Sequence, residues 1–165
     1  MLSATIALRA ATPADRPLLA RIYASTREHE MARVAWSAEQ KASFLEMQFQ
    51  AQDAHYRAHY PGAEFYLILQ QEAVAGRLYL HCGARELRIM DLALLAPFRN
   101  AGLGGAIFAS LLARAGAGQQ CVTIHVEKEN RARALYARLG FREVEDRGVY
   151  LLLRWDAPGA NDCAH

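Results

Sequence analysis

Cysteine is scarce and unpaired in this sequence: Cys82, Cys121 and Cys163 make an odd number with no C-x-x-C spacing, so neither a disulfide framework nor a cysteine-based metal site is encoded. That usage points to a reducing, cytoplasmic setting. No apolar run approaches the roughly 20 residues that span a bilayer, and MLSATIALRA lacks the basic-then-apolar layout of a secretory signal. No membrane partner is expected. One-sided charge is missing too, since 19 basic and 17 acidic side chains leave a formal charge of +2, too little for the footprint of a nucleic-acid binder. Lysine is limited to Lys41 and Lys128, the other basic residues being arginines whose rigid forks suit carboxylates and phosphates. What remains is ordinary for one soluble domain: 165 residues, 53% hydrophobic and 22% charged, enough for a single sizeable core. We expect one domain over residues 1–156 and a flexible tail over 157–165, where Pro, Gly, Asn and Asp mix without a periodic face.

Thr5 to Arg9 alternates as a strand, and Thr12-Pro13-Ala14-Asp15 opens a helix with a capping hydroxyl, a proline at the first helical position and an acid three residues on. That helix sets Ala14, Leu18 and Ile22 on one stripe. Arg27 to Val34 is polar and reads as a loop. Ser37 and Gln40 form a second capping box, after which Phe44, Met47, Ala51 and Ala54 keep helical spacing almost to Pro61-Gly62. Phe65–Leu69, Val74–His81 and Glu86–Leu95 then read as an antiparallel meander. A glycine-rich turn at Arg99–Gly105, a helix from about Leu103 to Ala115, a strand at Cys121–Val126, a helix at Arg131–Leu139 and a strand at Val149–Trp155 complete the order βααβββαβαβ, an α/β (α+β) chain.

The turn Arg99-Asn100-Ala101-Gly102-Leu103-Gly104-Gly105 carries the most information. A strand that runs into glycines and then a helix presents several backbone N–H groups at the positive end of a helix dipole, a phosphate cradle by construction. Glycines after a strand also serve simply to turn the chain. A Walker loop is excluded because Gly104 is followed by Gly105-Ala106, with no Lys nearby. A dinucleotide fingerprint is excluded because Ile107 stands where a third glycine is required.

Arg99-Asn100-Ala101-Gly102-Leu103-Gly104 resembles the pyrophosphate loop, Arg/Gln-x-x-Gly-x-Gly/Ala, of the GCN5-related N-acetyltransferase (GNAT) superfamily. Asn130-Arg131-Ala132-Arg133-Ala134-Leu135-Tyr136-Ala137-Arg138-Leu139-Gly140-Phe141 resembles that superfamily's later motif, an Asn ahead of an Ala-rich helix that carries a Tyr and ends at Gly-Phe. The likeness is close from Phe65 to Trp155, looser from Thr5 to Arg21, and absent from Arg27 to Pro61. Ala96-Pro97-Phe98 departs from the Pro-acid-Tyr common before the loop, and Gly105 stands where a larger residue is usual; neither removes a backbone amide. The resemblance implies the GNAT fold, a mixed and mostly antiparallel sheet flanked by helices, with acetyl-CoA as cosubstrate and no metal.

By the same resemblance the pantetheine arm lies on the edge of Leu92, Ala93 and Leu94, in a splay toward Cys121–Val126. The phosphates then sit on Arg99, Asn100, Ala101, Gly102, Leu103, Gly104 and Gly105, the Leu92 N–H holds the thioester oxygen, and Tyr136 acts as general acid. A thiolate pKa near 8.5 below a phenol's of about 10 makes that proton transfer accessible. Read alone, Tyr136 is an ordinary core residue of an amphipathic helix. Asn130 bonds the pantetheine, caps the helix, or does both. An amine of pKa about 10.4 is nearly all protonated at pH 7.4, a deficit of about three units or roughly 4 kcal/mol, so a base is needed. Asp91 is the first candidate, Glu86 a weaker one; strand alternation sends Met90 and Leu92 to the opposite face, and Asp91 could instead pair with an Arg as structure. Gln48, Gln52 and Tyr56 recur every four residues, with His55 beside them, as a solvated helix face or the lining of an amine or peptide site. His29, Glu30 and Trp36, in the loop, are open to the same two readings. The expected activity is acetyl transfer to a primary amine of a small molecule or peptide, the alternative an acyl-CoA-binding sensor without catalysis; monomer and homodimer both stay open.

Overall fold

The structure is a computed structural model that describes residues 6–159, so Thr5, Cys163 and the tail from Ala160 lie outside the described residues. Strand β1 (Ile6–Ala10) leads through a 3-10 turn at Pro13–Asp15 to α1 (Arg16–Ser25), α2 (Glu28–Met31) and α3 (Ala38–His59). The meander β2 (Glu64–Gln70), β3 (Ala73–Cys82) and β4 (Glu86–Leu94) follows, then α4 (Leu103–Ala117), β5 (Cys121–Glu127), α5 (Arg133–Leu139), β6 (Arg142–Arg147) and β7 (Tyr150–Trp155). All seven strands share one sheet in the order β1-β2-β3-β4-β5-β7-β6, antiparallel except for the β4–β5 pair. Among the described residues no helix is long and apolar enough to cross a membrane.

The sheet buries a core on each face. On one, α4 and α5 cover Leu78, Leu80, Leu87, Ile89, Val122 and Ile124 with Ile107, Phe108, Leu111 and Tyr136. On the other, Leu19, Ile22 and Tyr23 of α1 and Phe49 of α3 cover Leu67, Tyr79 and Ala93. Four sequence expectations change here. On α1 Ile22 is buried and Leu18 packs on the core as expected, joined by Leu19 and Tyr23, while Ala14 is exposed because it lies in the 3-10 turn ahead of the helix. The buried face of α3 centres on Leu45 and Phe49, packed in an apolar cluster, while Met47 is 59% exposed; Gln48 and Gln52 flank it where the helix meets the Tyr23 hydroxyl and Arg77. Arg27–Val34 contains α2. Finally β6 joins the edge of the sheet, making the order βαααβββαβαββ; all six of its residues are exposed, so no alternation marks it.

Two irregularities of β4 prepare a cleft. Its ladder with β5 ends at Ile89 opposite Ile124, although β4 runs on to Leu94 and β5 to Glu127, so the two strands part. Its ladder with β3 slips between Ile89 and Asp91, opposite Leu80 and Tyr79. The extra residue, Met90, is bulged. Alternation is thereby broken: Met90 joins the α1–α3 core on the face of Asp91, and only Leu92 takes the other face, against the expectation for both.

Candidate active site

The parting strands enclose a cleft of about 990 Å³, floored by Met90–Leu94 and Ile124–Glu127 and walled by Tyr23 and Arg27, Gln52 and Tyr56, Asn130 and Tyr136. The Leu95 N–H donates to Ala75 O of β3 at 2.8 Å. Successive residues of a strand turn their N–H groups to opposite sides, so the amides of Leu92 and Leu94 face away from β3 into the opening. Ala93 faces β3 by the same count.

Arg99 Nε donates to Leu94 O at 2.7 Å, folding the start of the glycine turn back on the strand end. Asn100 (φ +59°) and Gly102 (φ +82°) then reverse the chain into α4 through left-handed conformations. A Cβ at Gly102 or Gly105 would meet nothing within 4 Å, and one at Gly104 only Leu94 Cδ1 at 3.9 Å. These glycines therefore leave space before a helix N-terminus instead of packing against protein, which fits a diphosphate. Arg99 lines the cleft, whereas Asn100, Ala101, Gly102, Leu103, Gly104 and Gly105, which follow it in the chain, do not, and the Leu103 side chain is buried. Among the described residues no cluster of three or more His, Cys, Asp or Glu could hold a metal ion.

Tyr136 is 7% exposed, its ring set edge-on to Phe108 (5.2 Å) and Phe141 (5.9 Å), yet it lines the cleft, and no described residue hydrogen-bonds its hydroxyl. Burial raises the phenol above its usual pKa, keeping it a proton donor through neutral pH. Asn130 Oδ1 accepts from Ala132 N at 2.8 Å, an Asx turn at the entry to α5. Asn130 thus shapes the turn that leads into α5, whose N-cap position is Ala132, and it also lines the cleft.

Asp91 lines the cleft beside Leu92, its Oδ2 ion-paired with Arg77 of β3. The Gln48–Gln52–Tyr56 stripe faces inward: Gln48 Oε1 accepts from Tyr23 OH (3.1 Å), Gln52 Oε1 from Arg77 Nη2 (2.9 Å), and Tyr56 OH points at Met90 O (3.5 Å). Burial and the Asp91 charge raise the Tyr56 phenol. Glu86 instead pairs with Arg88 (3.3 Å) and does not line the cleft. His29 and Glu30 line its mouth, Glu30 held by Arg27 at 2.9 Å, while Trp36 packs on Phe44 away from it.

Sequence reasoning missed Tyr23, Arg77 and His125. His125 stands on β5 where the strands part and accepts at Nε2 from Arg147 (2.8 Å). Burial first, then Arg88 and Arg147, lower its pKa, which favours the neutral imidazole. A signal existed for two of them: Arg77 and His125 are polar interruptions in otherwise apolar strand runs.

The family model described as an acetyltransferase (GNAT) domain matches residues 32–151. No curated protein matches the sequence. Among solved structures, the chain is similar to PaiA N-acetyltransferase from Thermoplasma acidophilum in complex with coenzyme A (13% identity, covering 92% of this chain and 98% of that one, TM-score 0.69). It is also similar to a GNAT family acetyltransferase from Elizabethkingia anophelis with acetyl-CoA bound (15%, 93% and 99%, 0.61). The ribosomal-protein-S18-alanine N-acetyltransferase from Escherichia coli shares the fold as well (17%, 97% and 99%, 0.61).

Proposed function

The chain belongs to the acetyltransferase (GNAT) domain family, and from that premise we propose that it moves an acetyl group from acetyl-CoA directly to a primary amine of a small molecule or peptide. The observation that carries the reading is the parted β4–β5 pair, which opens the Leu92 and Leu94 amides beside a glycine-lined helix N-terminus. In this reading the pantetheine amides pair with the β4 edge over Leu92, Ala93 and Leu94. Its phosphates rest on the amides from Arg99 to Gly105, and Asn130 flanks the arm.

The amine nitrogen attacks the thioester carbon, whose oxygen takes the Leu92 N–H, a contact that strengthens as charge grows on that oxygen. The carbon–sulfur bond then breaks, and the departing thiolate receives the Tyr136 proton. Asp91 accepts the proton released by the amine, directly or through water. Acceptor selection falls to Tyr23, Gln52 and Tyr56 on the opposite wall. The same reading takes residues 1–156 as one acetyltransferase domain working in the cytoplasm.

Two measurements test it. Calorimetry should give a low-micromolar Kd for acetyl-CoA, roughly −8 kcal/mol, unchanged by a chelator; absence of heat at millimolar acetyl-CoA overturns cosubstrate binding. Thiol release should then appear with some member of a panel of amines, polyamines, amino acids and peptides. Binding without release from any of them would leave the sensor reading in its place.

A further inference from the structure

The most heavily buried charge in the cleft wall is Arg77, 1% exposed on β3. Its guanidinium lies over the Tyr79 ring (4.6 Å) and near that of Tyr23 (5.6 Å), with Nη1 donating to Tyr79 OH at 3.3 Å. Nη2 is shared between Gln52 Oε1 and Asp91 Oδ2, and the buried Nε has no hydrogen-bond partner. Fold stability does not account for this arrangement. Desolvating a guanidinium is costly, the orphan Nε adds to the cost, and buried ion pairs are commonly replaced by packed apolar side chains without loss. Its link to the proposed proton transfer is Asp91, while Gln52 and the Tyr23 ring connect it to the acceptor wall.

On the acetyltransfer reading given above, we infer that Arg77 is a positioning residue of the acceptor site, holding Asp91 by Oδ2 so that Oδ1 stays fixed for the incoming amine. No described residue hydrogen-bonds Oδ1, although Asp91 lines the cleft. Asp91 follows the bulged Met90, where β4 departs from regular pairing, so strand geometry alone holds its side chain less firmly than elsewhere. Arg77 supplies the missing constraint from the next strand. Through Gln52 it also ties α3 to the same carboxylate, so the helix that lines the acceptor wall and the strand that carries the carboxylate share one anchor.

A double-mutant cycle tests this, using Arg77→Met, Asp91→Asn and the pair, assayed at pH 9 with an amine that the wild type acetylates. Arg77→Met alone should raise the acceptor KM tenfold or more while the acetyl-CoA Kd changes less than twofold. In the Asp91→Asn background the same replacement should cost acceptor kcat/KM at least about threefold less than in the wild type, because the route through the carboxylate is gone and only the contacts with Gln52 and Tyr23 remain. Equal losses in both backgrounds, or a parallel loss of acetyl-CoA affinity, overturn the inference and make Arg77 a structural residue. Should Arg77→Met not fold, Arg77→Lys carries the same comparison, with a smaller loss that again shrinks beside Asp91→Asn. A wild type that turns over no amine at all would refute the acetyltransfer reading, and this inference with it.

Discussion

Tyr136→Phe separates chemistry from packing at the residue proposed to protonate the leaving thiolate. The substitution keeps the ring, so the edge-on contacts with Phe108 at 5.2 Å and Phe141 at 5.9 Å survive. It removes only a hydroxyl that no described residue hydrogen-bonds, so no intramolecular bond worth about 0.5–1.5 kcal/mol is lost. The stability change should stay below about 0.5 kcal/mol, or about 2 °C in Tm for a chain of this size. Loss of a general acid instead costs about 10² in kcat, close to 2.7 kcal/mol of barrier. Acetyl-CoA affinity should change less than twofold, because the hydroxyl acts on a thiolate formed late in the reaction. Burial raises the phenol pKa, so the protonated donor persists beyond the ordinary value, and an alkaline fall in wild-type kcat should begin above about pH 10. The Phe variant should lack that limb where chemistry limits turnover. Steady-state rates over pH 6 to 11, calorimetry and thermal melting supply the readouts. A variant within threefold of wild-type kcat at neutral pH refutes the acid role, as does a rate loss matched by a Tm drop of several degrees.

The glycines of the phosphate turn should divide under substitution. Gly104→Val enters open space in a helical position, so Tm should hold while the acetyl-CoA Kd rises tenfold or more; Gly102→Val should raise Kd likewise and also lower Tm, since φ is +82° there and a Cβ costs about 1–2 kcal/mol in that region. Unchanged binding in both, by calorimetry, would reduce the loop to a simple turn. Gly76→Ala tests the β4 edge from behind: its Cβ would lie 2.1 Å from Ala93 O, so β4 must move, at about 2 kcal/mol or more and some 4–8 °C in Tm. Acetyl-CoA affinity should fall with it, and a variant with wild-type melting and binding would contradict the tight β3–β4 packing.

Elements with a buried face were legible in the chain, and those without one were not. The meander, α4 and β5 announce themselves because each carries apolar residues at a regular period against a continuous core. Strand β6 has six exposed residues, Arg142 to Arg147, and hydrogen-bonds only at the sheet edge; nothing local distinguishes it from a loop. The rotation of α3 was misjudged for a related reason. Apolarity selects Phe44, Met47, Ala51 and Ala54, but the surface that α3 meets includes Arg77 and the Tyr23 hydroxyl, so the inward face presents Gln48 and Gln52. The inward face is therefore mixed, Leu45 and Phe49 entering the apolar cluster and Gln48 and Gln52 meeting the polar groups beside it.

The candidate site divides along the same line. The half proposed for the cofactor is built from backbone, and backbone conformation leaves a sequence trace: Asn100 and Gly102 where φ is positive, an Asx residue in the turn before α5. The acceptor half is built from side chains brought together across α1, α3, β3 and β4, and no spacing encodes their meeting. Asp91 was visible as a polar residue in an apolar strand, with both a base role and an Arg partner open to it. Which Arg depends on register: Tyr79 pairs with Asp91, so Arg77, two residues before Tyr79, shares its face of the sheet. That register slips at Met90, and the slip puts Met90 on the same face as Asp91. A bulge of one residue thus decides which side chains line the acceptor wall, and it is a property of the strand pair, written in neither strand alone.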